Sequence, residues 1–430
     1  MSSPGLSMPN ASAGGQKRRI LLLALLFILM TVMMSKRVIK LVFVDASIPA
    51  DIAAYSRSVI AFNYFQHGFI RRGLAGTFAS LFGDVAEPMT GLLFHTFSAA
   101  FLATPIIFLV SKLTLKVRRS EVIAYALFLF VSPHLFRAWN SDLVRTDMLA
   151  CGFIAWAAVA MVYARPYVAV IVLSIGSLAH ETTLIVGVPL VAALSFVAYH
   201  NGRVTRAVVT RSCALLLLLL AFIGVMGHFS VSPDQVSTFA SDVRTRFAAH
   251  PRVDYALYAY LSGWRAIRSS VCSNLLVNPR YWIYLPTIVL IIGTHLTACG
   301  AQTRISVLLF CAAAIVPAIA LSVIATDLAR WTSFGIFNVW LMAVTVTLIK
   351  PDLLRPLHSG FWKRVAAVFI ISLLGNNPVF SPSSTIDKAA DALGISATSF
   401  EEELDECDPG WKDFLSFELN KRTPGNAAHQ

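Results

Sequence analysis

Two adjacent arginines, Arg71 and Arg72, lie in the glycine-containing stretch "GFIRRGLAG" of an otherwise apolar region. A guanidinium is a planar fork that binds phosphate or carboxylate through two hydrogen bonds. Such charges are costly near a membrane unless an anion pairs with them, and the flanking glycines let the backbone approach a ligand or a helix. The motif predicts a phosphate site. The alternatives are lipid headgroup binding or a structural ion pair with Asp45, Asp51 or Asp84.

Two aspartates, Asp45 and Asp51, follow the first apolar segment in the stretch "VDASIPADIAAYSRS", and Pro49 between them indicates a turn. A carboxylate here can accept the proton of a hydroxyl group in a transfer reaction. For Asp51 taken alone, the better explanation is the N-cap of an amphipathic helix. The spacing does not decide which carboxylate would be the base.

Two further motifs place an aspartate three positions before an arginine. Asp142 and Arg145 lie with Asp147 in "WNSDLVRTD", and Asp327 and Arg330 lie in "IATDLARWTSF". On a helix, residues three apart share one face, so each pair can be a local ion pair. The alternative for each pair is a part in binding a substrate.

His180 and Glu181 lie in the stretch "SLAHETTLIVGVPL", at the junction of two apolar segments. A metalloprotease of the HExxH type needs a second histidine four positions after the first, and that position is Leu184. The pair is therefore a titratable group at the membrane edge that can bind a metal, a proton or a sugar hydroxyl. Ionisable residues at this depth are typical of functional sites.

The composition places all of these motifs in a membrane protein. Of the 430 residues, 57% are hydrophobic and only 13% are charged, and the mean hydropathy is +0.69, whereas soluble domains carry about 25% charged residues. A helix needs roughly 20 residues to cross the hydrocarbon core. The apolar windows are Ile20–Ser35, Gly91–Ser111, Glu121–Phe136, Met148–Ala164, Tyr167–Leu178, Thr182–Tyr199, Ser212–Phe229, Tyr281–Ala298, Ile305–Ala325, Thr332–Ile349 and Val365–Val379.

These windows predict an all-α integral membrane bundle of about eleven transmembrane helices, because helices satisfy their own backbone hydrogen bonds in lipid. The formal net charge of +12 fits basic cytoplasmic loops and lipid headgroups. No basic domain stands apart from the apolar windows, so nucleic acid is not an expected partner, whereas membrane lipids are.

The distribution of basic residues predicts a cytoplasmic N-terminus, beginning with an uncleaved signal anchor, "QKRRILLLALLFILM". Lys36, Arg37 and Lys40 dissent, and they can either reach lipid headgroups or continue the helix into an interfacial segment. The residues that agree are Lys17, Arg18, Arg19, Lys112, Lys116, Arg118, Arg119, Arg203, Arg206, Arg211, Lys350, Arg355, Lys363 and Arg364. With alternating spans, every polar motif above then falls on the external face.

The predicted domains are a transmembrane unit over residues 1–380, with external loops at 45–88 and 230–280, and a small external acidic tail over residues 381–430. Cys272 and Cys407 would both be external, and they can form a disulfide in an oxidising compartment. The other cysteines lie in or beside apolar windows, where a thiol behaves as a small hydrophobic group.

The layout and the motifs "GFIRRGLAG", "AHE" and "DLARW" resemble bacterial envelope-polysaccharide proteins, in particular GT-C-type glycosyltransferases and related polysaccharide polymerases. The resemblance implies transfer of a sugar from a polyprenyl-phosphate donor to a cell-envelope glycan acceptor on the periplasmic face of the inner membrane. It implies a base in the first external loop, Asp45 or Asp51. It leaves a divalent metal open, because these aspartates are six apart rather than a DxD pair.

Within this reading, His180 and Glu181 join the two aspartates as candidate catalytic residues. The candidate substrate-binding residues are Arg71, Arg72, Asp142, Arg145, Asp327 and Arg330. Two other functions stay open: an exopolysaccharide or O-antigen polymerase, and a secondary transporter, which would place charges near the middle of the membrane on broken helices.

Overall fold

The structure is a computed structural model of the 430-residue chain. The residues that it describes are 13–43, 58, 60, 61, 63, 73–117, 121–125, 135, 139, 146–228, 243, 245, 258, 264–301, 303–325, 328–354, 360–374, 390–395, 400–413 and 416.

Within these ranges the chain is helical and contains no strand, only an isolated antiparallel bridge between Ala301 and Leu354. The helices are α1 (Ala13–Phe43), α2 (Gly73–Ser80), α3 (Pro88–Leu113), α4 (Asp147–Val162), α5 (Pro166–Ala179), α6 (Thr182–His200), α7 (Arg206–His228), α8 (Trp264–Cys272), α9 (Tyr281–Ala298), α10 (Arg304–Phe310), α11 (Val316–Ile324), α12 (Leu328–Ile349), α13 (Phe361–Leu374) and α14 (Phe400–Cys407).

Several of these helices are built to cross a membrane, which confirms the predicted class of all-α membrane protein. Five helices in the described ranges are long and apolar enough to span, namely Pro88–Leu113, Thr182–His200, Tyr281–Ala298, Arg304–Ile324 and Arg330–Ile349. Shorter apolar helices cover Leu21–Lys36, Asp147–Val162 and Pro166–Ala179. The predicted number of eleven spans is not confirmed, and one of the windows, Glu121–Phe136, lies largely outside the described residues.

Helix α12 is the centre of the bundle. Its residues 331–349 are all buried, and it packs against α3, α4, α6 and α9. Gly335 permits one close approach, since a Cβ at this position would lie 2.3 Å from Ile292 Cδ1 and 3.1 Å from the Ala314 carbonyl oxygen. Small residues at such contacts are a common feature of helix packing in membranes.

The span Arg304–Ile324 is not a continuous α-helix, because the π-helical turn Cys311–Ile315 separates α10 from α11. Pro317 follows this turn and has no N–H to donate to a carbonyl one turn earlier. Asn338 of α12 supplies the missing donor: its Nδ2 lies 2.5 Å from Ala313 O and 2.9 Å from Val186 O. A neighbouring helix thus satisfies the backbone that the proline leaves open.

The bundle has two opposite ends, and each is named after the residues that it holds. At the first, Lys116 Nζ donates to Leu348 O and Asn201 Nδ2 donates to Ile349 O, each at 2.7 Å. We call this the basic end, since its described loops and helix ends carry Lys112, Lys116, Arg165, Arg203, Arg206, Lys350 and Arg364. The opposite end, called the cluster end, holds the first turns of α4, α6 and α12 and the last turn of α5.

A C-terminal cap, residues 400–413, lies at the cluster end. It packs on what we call the linking segment, residues 264–277, which comprises α8 and a second π-helical turn. A disulfide joins Cys272 to Cys407, as the sequence suggested. The predicted acidic tail therefore contributes a helix that is covalently attached to the main bundle.

Candidate functional site

The His180–Glu181 corner is a tight connection between α5 and α6. Helix α5 ends at Ala179, and His180 adopts an extended conformation with φ −162° and ψ 124°. The carbonyl of Gly176 accepts hydrogen bonds from the His180 N–H at 2.9 Å and from Thr183 Oγ1 at 3.1 Å. These bonds fix the backbone of the corner and hold the His180 side chain, which is only 2% exposed, at the cluster end.

Arg330, in the first turns of α12, is paired with Asp147 at the beginning of α4. Its Nε and Nη2 donate to the two carboxylate oxygens of Asp147, in a bidentate arrangement. A carboxylate is also favoured in the first turn of a helix, where backbone N–H groups point outwards. The Asp147 side chain is 8% exposed and the Arg330 side chain 15%, so the pair is mostly removed from water.

His180 lies directly beside this ion pair. Its Nε2 is 3.2 Å from Arg330 Nη2 and 3.8 Å from Asp147 Oδ1. Its Nδ1 is 3.1 Å from the Thr182 backbone N and 2.6 Å from Thr182 Oγ1. Glu181 contributes a second carboxylate, with Oε2 3.7 Å from Nδ1.

Each ring nitrogen of His180 lies beside a group that can only donate. The Thr182 N–H is 3.1 Å from Nδ1, and Arg330 Nη2 is 3.2 Å from Nε2. A neutral imidazole accepts at one nitrogen and donates from the other, so it satisfies only one of these donors. If Arg330 changed partner, Nε2 would carry the hydrogen and face Asp147 Oδ1, 3.8 Å away.

Trp331 supports the arginine from the next position in α12. The centroid of its ring lies 4.8 Å from Arg330 Cζ, within the range of a cation–π contact. Its indole Nε1 donates to Ala325 O at 3.1 Å, at the end of α11. The guanidinium is thus held between an aromatic face and a carboxylate.

Three of the predicted site residues meet in this group, which we call the ionisable cluster: His180, Glu181 and Arg330, together with Asp147. The other predicted site residues lie outside the described part of the chain, namely Asp45, Asp51, Arg71, Arg72, Asp142, Arg145 and Asp327. Their roles remain predictions.

Asp147 is the one member of the ionisable cluster that was not among the site residues predicted from the sequence. The spacing of three paired Arg145 with Asp142 and Arg330 with Asp327, whereas Arg330 binds an aspartate 183 positions away. A usable signal was present: Asp147 is the last acidic residue before an apolar window, so its carboxylate must lie at the helix end.

The structure gives no metal centre in the ranges that it describes, where no group of three or more His, Cys, Asp or Glu side chains is placed to hold an ion. What the cluster offers is a guanidinium fork, two carboxylates and an imidazole in one mostly buried volume. These groups can bind an anion, accept a proton or do both.

Comparison of the chain with protein-family models, with curated proteins and with solved structures finds no match.

Proposed function

We propose that this chain is a multi-pass membrane enzyme that transfers a sugar from a polyprenyl-phosphate-linked donor to a cell-envelope glycan. The observation that carries the proposal is the meeting of Asp147, His180, Glu181 and Arg330, which come from three separate motifs, at one end of an apolar bundle. Ionisable groups are expensive in such surroundings and are typical of substrate or ion sites. The resemblance to GT-C-type glycosyltransferases supplies the reaction class.

In the proposed reaction one bond forms at the anomeric carbon of the sugar and one bond to that carbon breaks. The acceptor hydroxyl oxygen bonds to the anomeric carbon of the sugar, and the bond from that carbon to the phosphate oxygen breaks. The lipid phosphate leaves with the bonding electron pair, and the guanidinium fork of Arg330 is suited to stabilise this charge.

The hydroxyl proton passes to a carboxylate in the proposed reaction. Within the cluster the candidate is Glu181, which at 17% exposure is more accessible than Asp147 at 8%. Asp45 and Asp51 are the bases that the resemblance favours. Arg71 and Arg72 are the proposed second phosphate contact in the same external region.

Binding of the donor would require a change of partners at Arg330. The guanidinium is bidentate with Asp147, so a phosphate must compete with this carboxylate. Asp147 would then accept from His180 Nε2, now 3.8 Å away. Asp147 thus keeps Arg330 paired when no sugar donor is bound.

We further propose that the basic end faces the cytoplasm and the cluster end faces outwards from the inner membrane of a bacterium. The basic residues that define the basic end lie in its described loops and helix ends, in agreement with the positive-inside rule. Towards the cluster end, Arg265, Arg280 and Lys412 are each paired with an aspartate. The Cys272–Cys407 disulfide belongs to the second, and disulfides persist mainly in oxidising compartments.

A secondary transporter is the second candidate, and one observation favours it. The span Arg304–Ile324 is interrupted by a π-helical turn and by Pro317, and interrupted spans often form substrate or ion sites in transporters. A polysaccharide polymerase would share the proposed sugar-transfer chemistry and differ in repeating it on a growing chain.

The test is deletion of the gene and complementation with His180→Ala and Arg330→Ala, with Lys412→Ala, an exposed position of the cap, as the control. Each variant is first checked for wild-type levels in the membrane. We expect the deletion to shorten or remove a surface glycan, and only the control and the wild type to restore it. Unchanged glycans after deletion would refute the proposal, and uptake by proteoliposomes would then test the transporter.

A further inference from the structure

The C-terminal cap is tied to the linking segment by several bonds in addition to the disulfide. Arg265 donates from Nε and Nη2 to the carboxylate of Asp408, at 2.6 and 2.5 Å. Tyr258 donates its hydroxyl to the same carboxylate at 2.5 Å. With the Cys272–Cys407 bond, these contacts fix the cap in one orientation.

The linking segment is in turn bonded to the bundle. Ser273 donates to the buried carboxylate of Glu403 at 2.5 Å, which joins the cap to the π-helical turn. The next residue, Asn274, is 2% exposed and donates from Nδ2 to Ser322 O at 3.0 Å and Val323 O at 3.1 Å. These two carbonyls belong to the last turn of α11, the part of a helix whose carbonyls need partners from elsewhere.

The end of α11 is also where Trp331 is anchored. Its indole Nε1 donates to Ala325 O, two residues beyond Val323, and its ring lies against Arg330. A continuous series of bonds therefore runs from the disulfide through Asn274 and the end of α11 to Trp331 and the guanidinium.

We infer that Asn274 and Trp331 are positioning residues for Arg330, and that the Cys272–Cys407 bond is a redox-sensitive strap that holds them in place. Asn274 fixes the end of α11, which fixes the indole and so the plane against which the guanidinium lies. Reduction of this disulfide loosens the series of bonds, so Arg330 is held less firmly against Asp147. Only the measurement of sugar transfer rests on the proposed function.

The experiment uses the full-length protein in lipid nanodiscs, with 5-fluorotryptophan at its eight tryptophan positions. The variant Trp331→Phe identifies the fluorine resonance of Trp331. Dithiothreitol then supplies two electrons and two protons, which convert the disulfide to two cysteine thiols while the reagent closes into a cyclic disulfide. We expect the Trp331 resonance to shift or broaden on reduction, and Asn274→Leu to change it without reductant.

Two controls make the result specific. Cys272→Ser/Cys407→Ser should show the altered resonance from the outset and no response to reductant, and Lys412→Ala should behave as the wild type. If the double variant does not fold, reduction of the folded wild type decides alone. An unchanged Trp331 resonance, with both thiols shown to be free by labelling, would overturn the inference.

Sugar transfer from a polyprenyl-phosphate donor is measured on the same samples. We expect reduction to raise the apparent KM for the donor severalfold with a smaller change in kcat, since Arg330 is the proposed phosphate contact. A shifted resonance with no transfer activity in the oxidised protein would leave the positioning intact and refute the proposed function.

Discussion

Arg330 donates two hydrogen bonds to Asp147, 183 positions earlier in the chain. The pair joins the first turn of α4 to the first turns of the central helix α12, so it fixes both helices and the chemistry at their ends. His180 lies against both partners, at 3.2 Å from the guanidinium and 3.8 Å from the carboxylate. Structure and proposed function therefore depend on the same three side chains.

Removal of the Asp147 charge should destabilise the protein. Asp147→Asn removes the charge that pairs with the mostly buried guanidinium of Arg330, and loss of one partner of a buried pair costs about 3–5 kcal/mol. Arg330 is 15% exposed, so we expect the lower part of this range for the free energy of unfolding in detergent micelles. Glu181→Gln, which removes an equal charge beside the same histidine, should cost less than about 1 kcal/mol. Equal losses in both variants would contradict this assignment.

Asp147→Asn also tests the proposal that Arg330 exchanges Asp147 for a phosphate. In Asp147→Asn the guanidinium loses the carboxylate that competes with an added anion, so inorganic phosphate should raise Tm more than it does in the wild type. Arg330→Ala combined with Asp147→Asn should abolish this extra effect. A phosphate response equal in all three proteins would mean that Arg330 does not bind the anion.

Gly176 should not tolerate a side chain, although glycine usually weakens a helix. A Cβ at this position would lie 2.6 Å from Thr183 Cγ2 and 2.7 Å from Phe153 Cβ. Gly176→Ala should therefore displace the corner that carries His180 and cost about 1–3 kcal/mol of unfolding free energy. Gly293→Ala in α9 is the matched control, because no described atom outside its own stretch of helix lies within 4 Å of its Cβ position, and it should be neutral or stabilising by up to about 1 kcal/mol.

Asn338 and Pro317 should be coupled energetically. Asn338→Leu leaves the Ala313 carbonyl without the donor that replaces the absent proline N–H, at a cost of about 1–3 kcal/mol. Pro317→Ala restores a backbone donor in α11, so Asn338→Leu should cost less in that background. A double-mutant cycle on the unfolding free energy measures the difference, and strictly additive effects would exclude the coupling.

Attachment of the cap should weaken at acidic pH. Burial raises the pKa of Asp408, but the hydrogen bonds from Arg265 and Tyr258 and the charge of Arg265 outweigh burial and lower it below its ordinary 3.8. A lowered pKa in the folded state stabilises the cap above that ordinary value, and this contribution is lost as pH falls through the lowered value.

Hydrogen exchange of the cap, followed from about pH 5 to pH 2, measures this loss. Exchange is corrected for its intrinsic dependence on pH. Asp408→Asn should be less protected at pH 5 and should lose most of the remaining pH dependence. The exposed Asp413→Asn should retain it, and equal pH dependence in both variants would argue against the Arg265–Asp408 contact.

The sequence was most informative where one physical requirement dominated. Long apolar windows predicted helices, and ionisable residues between such windows predicted a polar end of the bundle, as His180 and Glu181 demonstrate. Cys272 and Cys407 were matched through the predicted topology alone. In each case a local pattern and the alternation of spans were sufficient.

The partner of Arg330 could not be obtained in this way. Spacing along one helix favours a carboxylate three residues away. The packing of α4 against α12 instead brings Asp147 into contact with Arg330, and no rule of local spacing predicts this contact. The π-helical turn is a second example, since it depends jointly on Pro317 and on a side chain of another helix. Long-range pairings of this kind need the packing of the bundle.

The disulfide between Cys272 and Cys407 spans 135 positions and encloses helices α9 to α13. During biosynthesis, Cys407 emerges only after every one of these helices has left the ribosome. The bond can then close only when both ends of this stretch have reached the same side of the membrane. A chain that stalls or inverts within it keeps Cys272 as a thiol, so labelling of this one residue reports whether the last third of the protein has been correctly threaded.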